Sequence, residues 1–328
     1  MKTAHQFLYY LLPMSTFFLV SFPVRAAIED VRSKNQPMHS VLTIQRGGQA
    51  TFISPDSAVT NLVDALRQGN QFRVRRILGE RAMPSSYTRD NMLNKISNEH
   101  FLRAYDEKHS LELSGNGRAI LLIGKEEWPL PFPLIKSGKN WIFDEMTGAL
   151  EWQNRRIGSD EIAAIQVVLA YADAQREYVL QDRNSDGLLE YAQRLASTPG
   201  THNGLYWPIV GNEMLSPLGQ AFADAQESLS KRIPSASGHP YHGYYFRILT
   251  SQGSAAPGGA YTYLVKDRMI GGFALIAYPE SYGVSGIKSF MINHQGIVYS
   301  KDLGKETSLL APKMMSYNPD QSWTKESD

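Results

Sequence analysis

One segment of the chain carries oxygen-bearing side chains at the spacing of a calcium-binding loop. The four side chains, at loop positions 1, 3, 5 and 9, are Asp182, Asn184, Asp186 and Glu190. Oxygen ligands at alternate positions can converge on one Ca²⁺ because a glycine at position 6, here Gly187, permits the sharp turn. Position 12, where such loops place a bidentate glutamate, is Gln193.

This segment has two interpretations, and the sequence leaves both open. It could be a weak calcium site with a structural role, for which the loss of the bidentate ligand predicts a Kd on the order of 10⁻⁴ M or poorer. It could equally be a turn at the end of a helix, because Asp, Asn and Gly side chains also cap and bend the backbone. Calcium is therefore the one candidate cofactor.

A second pattern, Ser285-Gly286-Ile287-Lys288, has the Ser-x-x-Lys spacing of the penicillin-recognising acyl enzymes. The same spacing recurs at residues 228–231 and 322–325, and the companion Ser-Asp-Asn and Lys-Thr-Gly motifs are absent. Ser285 also lies in a glycine-flanked turn, whereas the acyl-enzyme serine opens a helix. We interpret the match as coincidence and predict no catalytic residue.

The composition narrows the classes of site and partner. The chain has 328 residues, no cysteine and a formal net charge of +1. Without cysteine there can be no disulfide, no thiolate catalysis, no cysteine-bound zinc and no lipid anchor on an N-terminal cysteine. The near-neutral charge gives no reason to expect nucleic acid or an anionic membrane surface as a partner.

Residues 1–26 have the pattern of a secretory signal peptide. Lys2 precedes an apolar stretch, and the segment closes on Val24-Arg25-Ala26, a small-residue cleavage pattern. Pro13 interrupts the apolar run, which is shorter than the roughly 20 residues that a membrane-spanning helix needs. We predict cleavage after Ala26, a periplasmic or secreted protein, and no stable membrane anchor.

Helix signals precede strand signals over residues 51–154, after a polar N-terminal arm at 27–50. Ser54 can cap a helix that has Pro55 in its first position. Strands are predicted on both sides of turn-forming segments, at residues 109–113, 118–123, 134–136 and 140–143. This order predicts an α+β domain. It resembles the cone-shaped fold typified by nuclear transport factor 2, which occurs in both enzymes and binding modules.

Residues 155–328 show the same helix-then-sheet order. Arg155–Gly158 has the composition of a junction, and Ser159 is predicted to cap a long helix. Shorter helices are predicted over residues 189–195 and 217–231. Most of a group of aromatic residues should lie in the core, because alternate strand residues face inward, and any on the outer face could form a recognition surface. The group consists of Tyr206, Trp207, Tyr241, Tyr244, Tyr245 and Phe246.

From Tyr244 onward, segments typical of antiparallel strands follow one another, beginning with an alternating pattern of side chains. We therefore predict two α+β domains with separate sheets. The second half is similar in element order to the soluble globular heads of pilin-like proteins. It lacks their prepilin cleavage motif and their uncleaved hydrophobic stalk.

Several long motifs resemble the bacterial family catalogued as domain-of-unknown-function family 2950. They cover nearly all of the predicted mature chain, at residues 101–109, 154–158, 171–178, 204–208, 241–247, 271–274 and 299–304. The resemblance implies an exported protein and brings no established activity. From the residues themselves we predict a non-enzymatic periplasmic binding or interaction module, whose partner is an exported protein or an envelope component. The alternatives are a hydrolase acting on cell-envelope material, with its site at the domain junction, and a purely structural accessory of another exported protein.

Overall fold

The computed structural model describes residues 48–80, 91–183, 186–208, 215–219 and 240–326. The predicted signal peptide, almost all of the predicted N-terminal arm and most of the predicted helix at 217–231 lie outside these residues. The candidate calcium ligand Asn184 also lies outside them.

Among the described residues three helices precede the first sheet, and side chains cap the first two of them. They are α1 (Pro55–Arg67), α2 (Gln71–Leu78) and α3 (Asn91–Glu107). Ser54 Oγ accepts a hydrogen bond from the backbone N–H of Ser57 at 3.1 Å, as expected of an N-cap residue. Asn70 caps α2 in the same way, by accepting from Arg73 N at 3.0 Å. The predicted helix start at Ser54 and Pro55 is confirmed.

The first sheet is antiparallel throughout. Its strands are β1 (His109–Ser114), β2 (Arg118–Ile123), β3 (Trp128–Pro129), β4 (Leu134–Ser137) and β5 (Asn140–Phe143). The order is β1-β2-β4-β5, with β3 paired to β2. Residues of α1 and α2, among them Val59, Leu62 and Ile77, form one core with Leu121 and Leu134 of the sheet.

The helix that follows, α4 (Glu145–Tyr178), is longer than predicted. It begins beyond Asp144, whose Oδ1 accepts a hydrogen bond from Thr147 N at 3.1 Å. The prediction that Ser159 caps this helix is therefore wrong, and Arg155–Gly158 lies inside it instead of forming a break. A helix interior tolerates a single glycine at about 1 kcal/mol relative to alanine, so Gly158 does not end α4.

The second sheet has the order β14-β13-β12-β11-β6, with every pair antiparallel. Its strands are β6 (Tyr244–Leu249), β11 (Ala274–Pro279), β12 (Lys288–Asn293), β13 (Tyr299–Asp302) and β14 (Thr324–Lys325). All six residues of β11 are buried, so both of its faces are covered. This explains why β11 has a continuous apolar sequence. The strand contacts α4 and the short helix α5 (Thr307–Leu310).

Short elements complete this half of the chain. Two small hairpins are formed by β7 (Ser251–Gln252) with β8 (Tyr261–Thr262), and by β9 (Leu264–Val265) with β10 (Arg268–Met269). Single 3₁₀ turns at Gly304–Glu306 and Ala311–Lys313 flank α5. The prediction that most of the six aromatic residues lie in the core is confirmed. Tyr206, Trp207, Tyr244 and Phe246 are buried, whereas Tyr241 and Tyr245 are half-buried.

The helix predicted over residues 189–195 is not formed. Tyr191 N donates to Met269 O at 2.8 Å, which ties this segment to β10. The Gln175 side chain of α4 bonds both backbone groups of Ala192, its Oε1 accepting from the N–H and its Nε2 donating to the carbonyl, each at 2.8 Å. These tertiary hydrogen bonds outweigh the helical spacing of the apolar residues.

The predicted fold class, helices combined with antiparallel sheet, is confirmed. In the described residues no strand of 109–143 pairs with a strand that follows Tyr244, so the two sheets are separate as predicted. The predicted boundary between residues 154 and 155 falls inside α4. The division into two domains and the two named fold resemblances stay predictions. Among the described residues, no helix has the length and apolar character needed to cross a bilayer.

Candidate functional site

The predicted calcium loop has the geometry of a capped turn. Asp182 Oδ1 accepts from Asp186 N at 3.3 Å, and Asp182 Oδ2 accepts from Gly187 N at 2.8 Å. Asp186 Oδ1 accepts from Leu188 N at 3.0 Å. These hydrogen bonds are the ones expected of the turn interpretation.

A cationic side chain already contacts two of the predicted calcium ligands. Arg268 Nη1 forms an ion pair with Asp186 Oδ2 and lies 3.0 Å from Glu190 Oε1. Gln193, at the position of the missing bidentate ligand, donates to Asp267 O at 2.7 Å. Within the described ranges no three or more His, Cys, Asp or Glu side chains are grouped as a metal site would need. The calcium site stays a prediction.

We expect at most weak calcium binding, because calcium must displace the Arg268 guanidinium from both carboxylates. The variant Arg268→Gln should therefore show a larger calcium-dependent rise in Tm than the parent protein, and Asp182→Ala should abolish the rise. Saturation at ~100 times the Kd would add about 2.7 kcal/mol of stability. Thermal unfolding in excess calcium and in chelator measures this. Equal Tm values in both solutions, for the parent and for Arg268→Gln, would contradict calcium binding and support the capped-turn interpretation.

A different region brings α4 into contact with the loop between β11 and β12, which we call the 280–287 loop. Glu161 of α4 accepts hydrogen bonds from two consecutive backbone amides, Ile287 N at 2.9 Å and Lys288 N at 3.0 Å. Gln153, two turns earlier in α4, donates to Gly283 O. The loop is thus bonded to one helix at its middle and at its C-terminal end.

Hydrogen bonds within the loop add to this rigidity. Ser285 Oγ accepts from Ser281 N at 3.0 Å and donates to Ser281 O at 3.2 Å. Gly283 N donates to Gly286 O at 2.9 Å. A side chain at Gly286 would collide with the Tyr244 hydroxyl group, so the close approach of the loop to β6 requires glycine there.

The outer side of the loop lines an open groove of about 460 Å³, which we call the 280–308 groove. Its lining residues are Glu280, Ser281, Tyr282, Gly283, Lys305 and Ser308. The Tyr282 hydroxyl group lies 3.2 Å from Asp302 Oδ2, to which it donates. Glu280 and Lys305 carry opposite charges, and neither forms an ion pair with any described residue.

Beneath the loop, Asp160 of α4 is a buried carboxyl group with few polar neighbours. Its side chain is 13% exposed, and its Oδ2 lies 3.5 Å from Arg156 Nε. Burial raises the pKa of Asp160 from 3.8 to about 6, although the Arg156 guanidinium acts in the opposite direction. The carboxylate Oδ2 also lies close to the Cα of Gly243, where a side chain would contact both Asp160 and Ser285.

The Ser-x-x-Lys match does not form a catalytic pair. The hydroxyl hydrogen of Ser285 is directed to Ser281 O, and Lys288 Nζ pairs with Glu326 Oε1 at 2.9 Å. Among the described residues no histidine forms a hydrogen bond with Ser285. This geometry agrees with the interpretation of the match as coincidence.

Of the residues that form this region, only 285–288 stand out in the sequence, as the Ser-x-x-Lys match. Asp160 and Glu161 follow the predicted cap Ser159 and would then lie in a first helical turn, whereas both lie in the middle of α4. Glu280 and Lys305 are 25 residues apart in the sequence, and only the fold shows that they share a groove.

Comparison with known proteins gives a family and no function. The model of the family described as "Protein of unknown function (DUF2950)" matches residues 49–326. No curated protein and no solved structure matches the chain significantly.

Proposed function

The chain belongs to the DUF2950 family, and we propose that it is a non-enzymatic binding module of the periplasm that holds a peptide-like ligand in the 280–308 groove. The observation that carries this proposal is the pair Glu280 and Lys305. They place a carboxylate and an ammonium group in one groove without an ion-pair partner among the described residues.

The lining of the groove determines the class of ligand. It is polar and open to solvent, so an apolar ligand would bury little surface there and gain little free energy. A zwitterionic chain rich in amide groups complements it, because its ammonium group can pair with Glu280 and its carboxylate with Lys305. The hydroxyl groups of Ser281 and Ser308 can bond the amides between them. The partner is accordingly a peptide segment of an exported protein or of an envelope component.

The rigidity of the 280–287 loop favours binding. A groove wall that is ordered before the ligand arrives costs less conformational entropy when the complex forms. Glu161, Gln153 and the Ser281–Ser285 hydrogen bonds supply that order in the free protein.

The test uses trialanine with free termini and the same tripeptide with both termini blocked. We expect free trialanine to shift the backbone amide resonances of Ser281, Gly283 and Ser308 in ¹⁵N-labelled protein. The blocked tripeptide should bind more weakly, because it has lost both charges. Glu280→Lys and Lys305→Glu should each weaken binding roughly fivefold or more, since an attraction of up to about 1 kcal/mol becomes a repulsion.

The matched control is the double variant Glu280→Lys/Lys305→Glu, which keeps both charges and exchanges their places. A zwitterionic tripeptide can bind in the opposite orientation, so the double variant should recover most of the affinity that each single variant loses. Equal affinity for the free and the blocked tripeptide, or no recovery in the double variant, would contradict the proposal.

One observation favours the alternative function, a hydrolase with its site at the junction of the two halves. Asp160 has a raised pKa beside Ser285, and such a carboxyl group can exchange protons near neutral pH. The binding module is the better proposal, because the Ser285 hydroxyl group is bonded to Ser281, and no basic side chain of the described residues forms a hydrogen bond with it.

A further inference from the structure

A second pocket, remote in sequence from the 280–308 groove, lies between the first helices and the first sheet. This helix–sheet pocket has a volume of about 310 Å³ and is lined by residues of α1, the end of α3, β1 and β2. Val59 and Leu121 in its lining are buried, and Leu111 is half-buried. The volume is at the lower end of the range of small-molecule sites, and the half-buried Leu111 side chain and Tyr105 ring are the apolar groups that a ligand can contact there.

The polar groups of the pocket include a histidine whose tautomer the geometry fixes. The His109 ring stacks on the Tyr105 ring, with centroids 3.8 Å apart and planes 10° apart. His109 Nδ1 lies 2.9 Å from the carbonyl oxygen of Tyr105. A carbonyl oxygen only accepts hydrogen bonds, so Nδ1 carries the hydrogen. In the neutral ring Nε2 is then the acceptor.

The charges around the pocket are mainly negative. The cation that acts on Tyr105 is Arg67, and its guanidinium is paired with the carboxylate of Asp106. Burial raises the pKa of Tyr105, Arg67 opposes this, and three carboxylates raise the pKa further, those of Asp106, Asp56 and Asp64. Asp56 itself lines the pocket and forms no ion pair with any described residue.

We propose that the helix–sheet pocket binds a small organic cation that has an ammonium head and a compact apolar body. Asp56 accepts from the ammonium group, His109 Nε2 and the Thr60 hydroxyl group offer further acceptors, and Leu111 and the Tyr105 ring contact the body. This site is independent of the 280–308 groove, so either proposal can fail without the other.

Asp56 also has an ordinary structural role that does not require a ligand. A carboxylate in the first turn of α1 also complements the helix dipole. That role contributes to the stability of α1 and is indifferent to the charge of an added molecule. A difference in affinity between probes with charged and uncharged groups therefore distinguishes a binding role of Asp56 from its structural role.

The experiment titrates the full chain with three probes of one shape, benzylamine, benzyl alcohol and benzoate, and follows the side-chain resonances of His109 and Tyr105. We expect benzylamine to bind at least tenfold more tightly than benzyl alcohol, and benzoate not to bind. Asp56→Asn should weaken benzylamine binding about tenfold, the size of one charge-assisted hydrogen bond. It should leave benzyl alcohol binding nearly unchanged.

Asp64→Asn is the matched control, because Asp64 lies on the same helix two turns away and does not line the pocket. It should change benzylamine binding no more than about twofold, the effect of one remote and screened charge. Similar affinity for all three probes, no binding of benzylamine, or an Asp56→Asn variant that binds benzylamine like the parent would each overturn the proposal. The Tm of each variant verifies that it is folded.

Discussion

Replacing Asp160 with asparagine should stabilise the protein by about 3 kcal/mol at pH 8 and by little at pH 4. The cause is the burial of a carboxyl group whose pKa is raised from 3.8 to about 6. A rise of that size corresponds to about 3 kcal/mol between the two protonation states. Asparagine has nearly the same shape and carries no charge to desolvate.

The direction of this pH dependence follows from the two pKa values of Asp160, 3.8 in the unfolded chain and about 6 in the folded chain. Below pH 3.8 the carboxyl group is neutral in the folded and in the unfolded chain, so the parent keeps its full stability. As the pH rises through 6, the unfolded chain has already ionised while the folded chain resists ionisation, and the parent loses stability. The advantage of Asp160→Asn should therefore grow between pH 4 and pH 7 and then level off.

Urea unfolding of both proteins at several pH values measures this difference. Asp173→Asn is the matched control, because Asp173 lies on the same helix with its side chain 76% exposed. Surface substitutions of this kind change stability by about 0.5 kcal/mol or less. A stability difference for Asp160→Asn that is equal at pH 4 and pH 8 would show that Asp160 is ionised normally in the folded protein.

The residues of α4 show what the sequence could and could not predict. Apolar residues at helical spacing beyond residue 160, among them Ile165, Val168 and Ala172, predict the second half of the helix, which packs on the second sheet. The first half has few such residues, and Gly158 followed by Ser159-Asp160-Glu161 has the composition of a helix start. Capping preferences are local, so they could not reveal that Asp144 had already started the helix.

The candidate sites show a second limit of the sequence. Tyr105 and His109 have i, i+4 spacing, which places two rings on one side of a helix end, so their contact was predictable in principle. The contact of Glu161 with residues 287 and 288 spans 126 residues of chain. No local pattern encodes such a contact. The Arg268 ion pairs with the predicted calcium loop are of the same kind, because they depend on the placement of the β9–β10 hairpin.

Two glycines of α4 should respond in opposite ways to alanine. At Gly148 an added methyl group would collide with the buried ring of Phe132, so we expect Gly148→Ala to destabilise the protein by about 1–3 kcal/mol. At Gly158 nothing lies within 4 Å of the added atom. Gly158→Ala should then stabilise the protein by about 0.5–1 kcal/mol, the usual preference for alanine in a helix interior.

The pair tests the continuity of α4 as well as its packing. If residues 155–158 were a junction between domains, alanine at 158 would gain nothing from helix propensity, and a destabilised Gly158→Ala variant would support that interpretation. The collision at Gly148 has its own control in Phe132→Leu, which removes ring atoms from the contact. Because the two residues touch, Phe132→Leu and Gly148→Ala should cost less together than the sum of their separate costs. Additive costs would mean that the loss at Gly148 arises elsewhere than at the Phe132 ring.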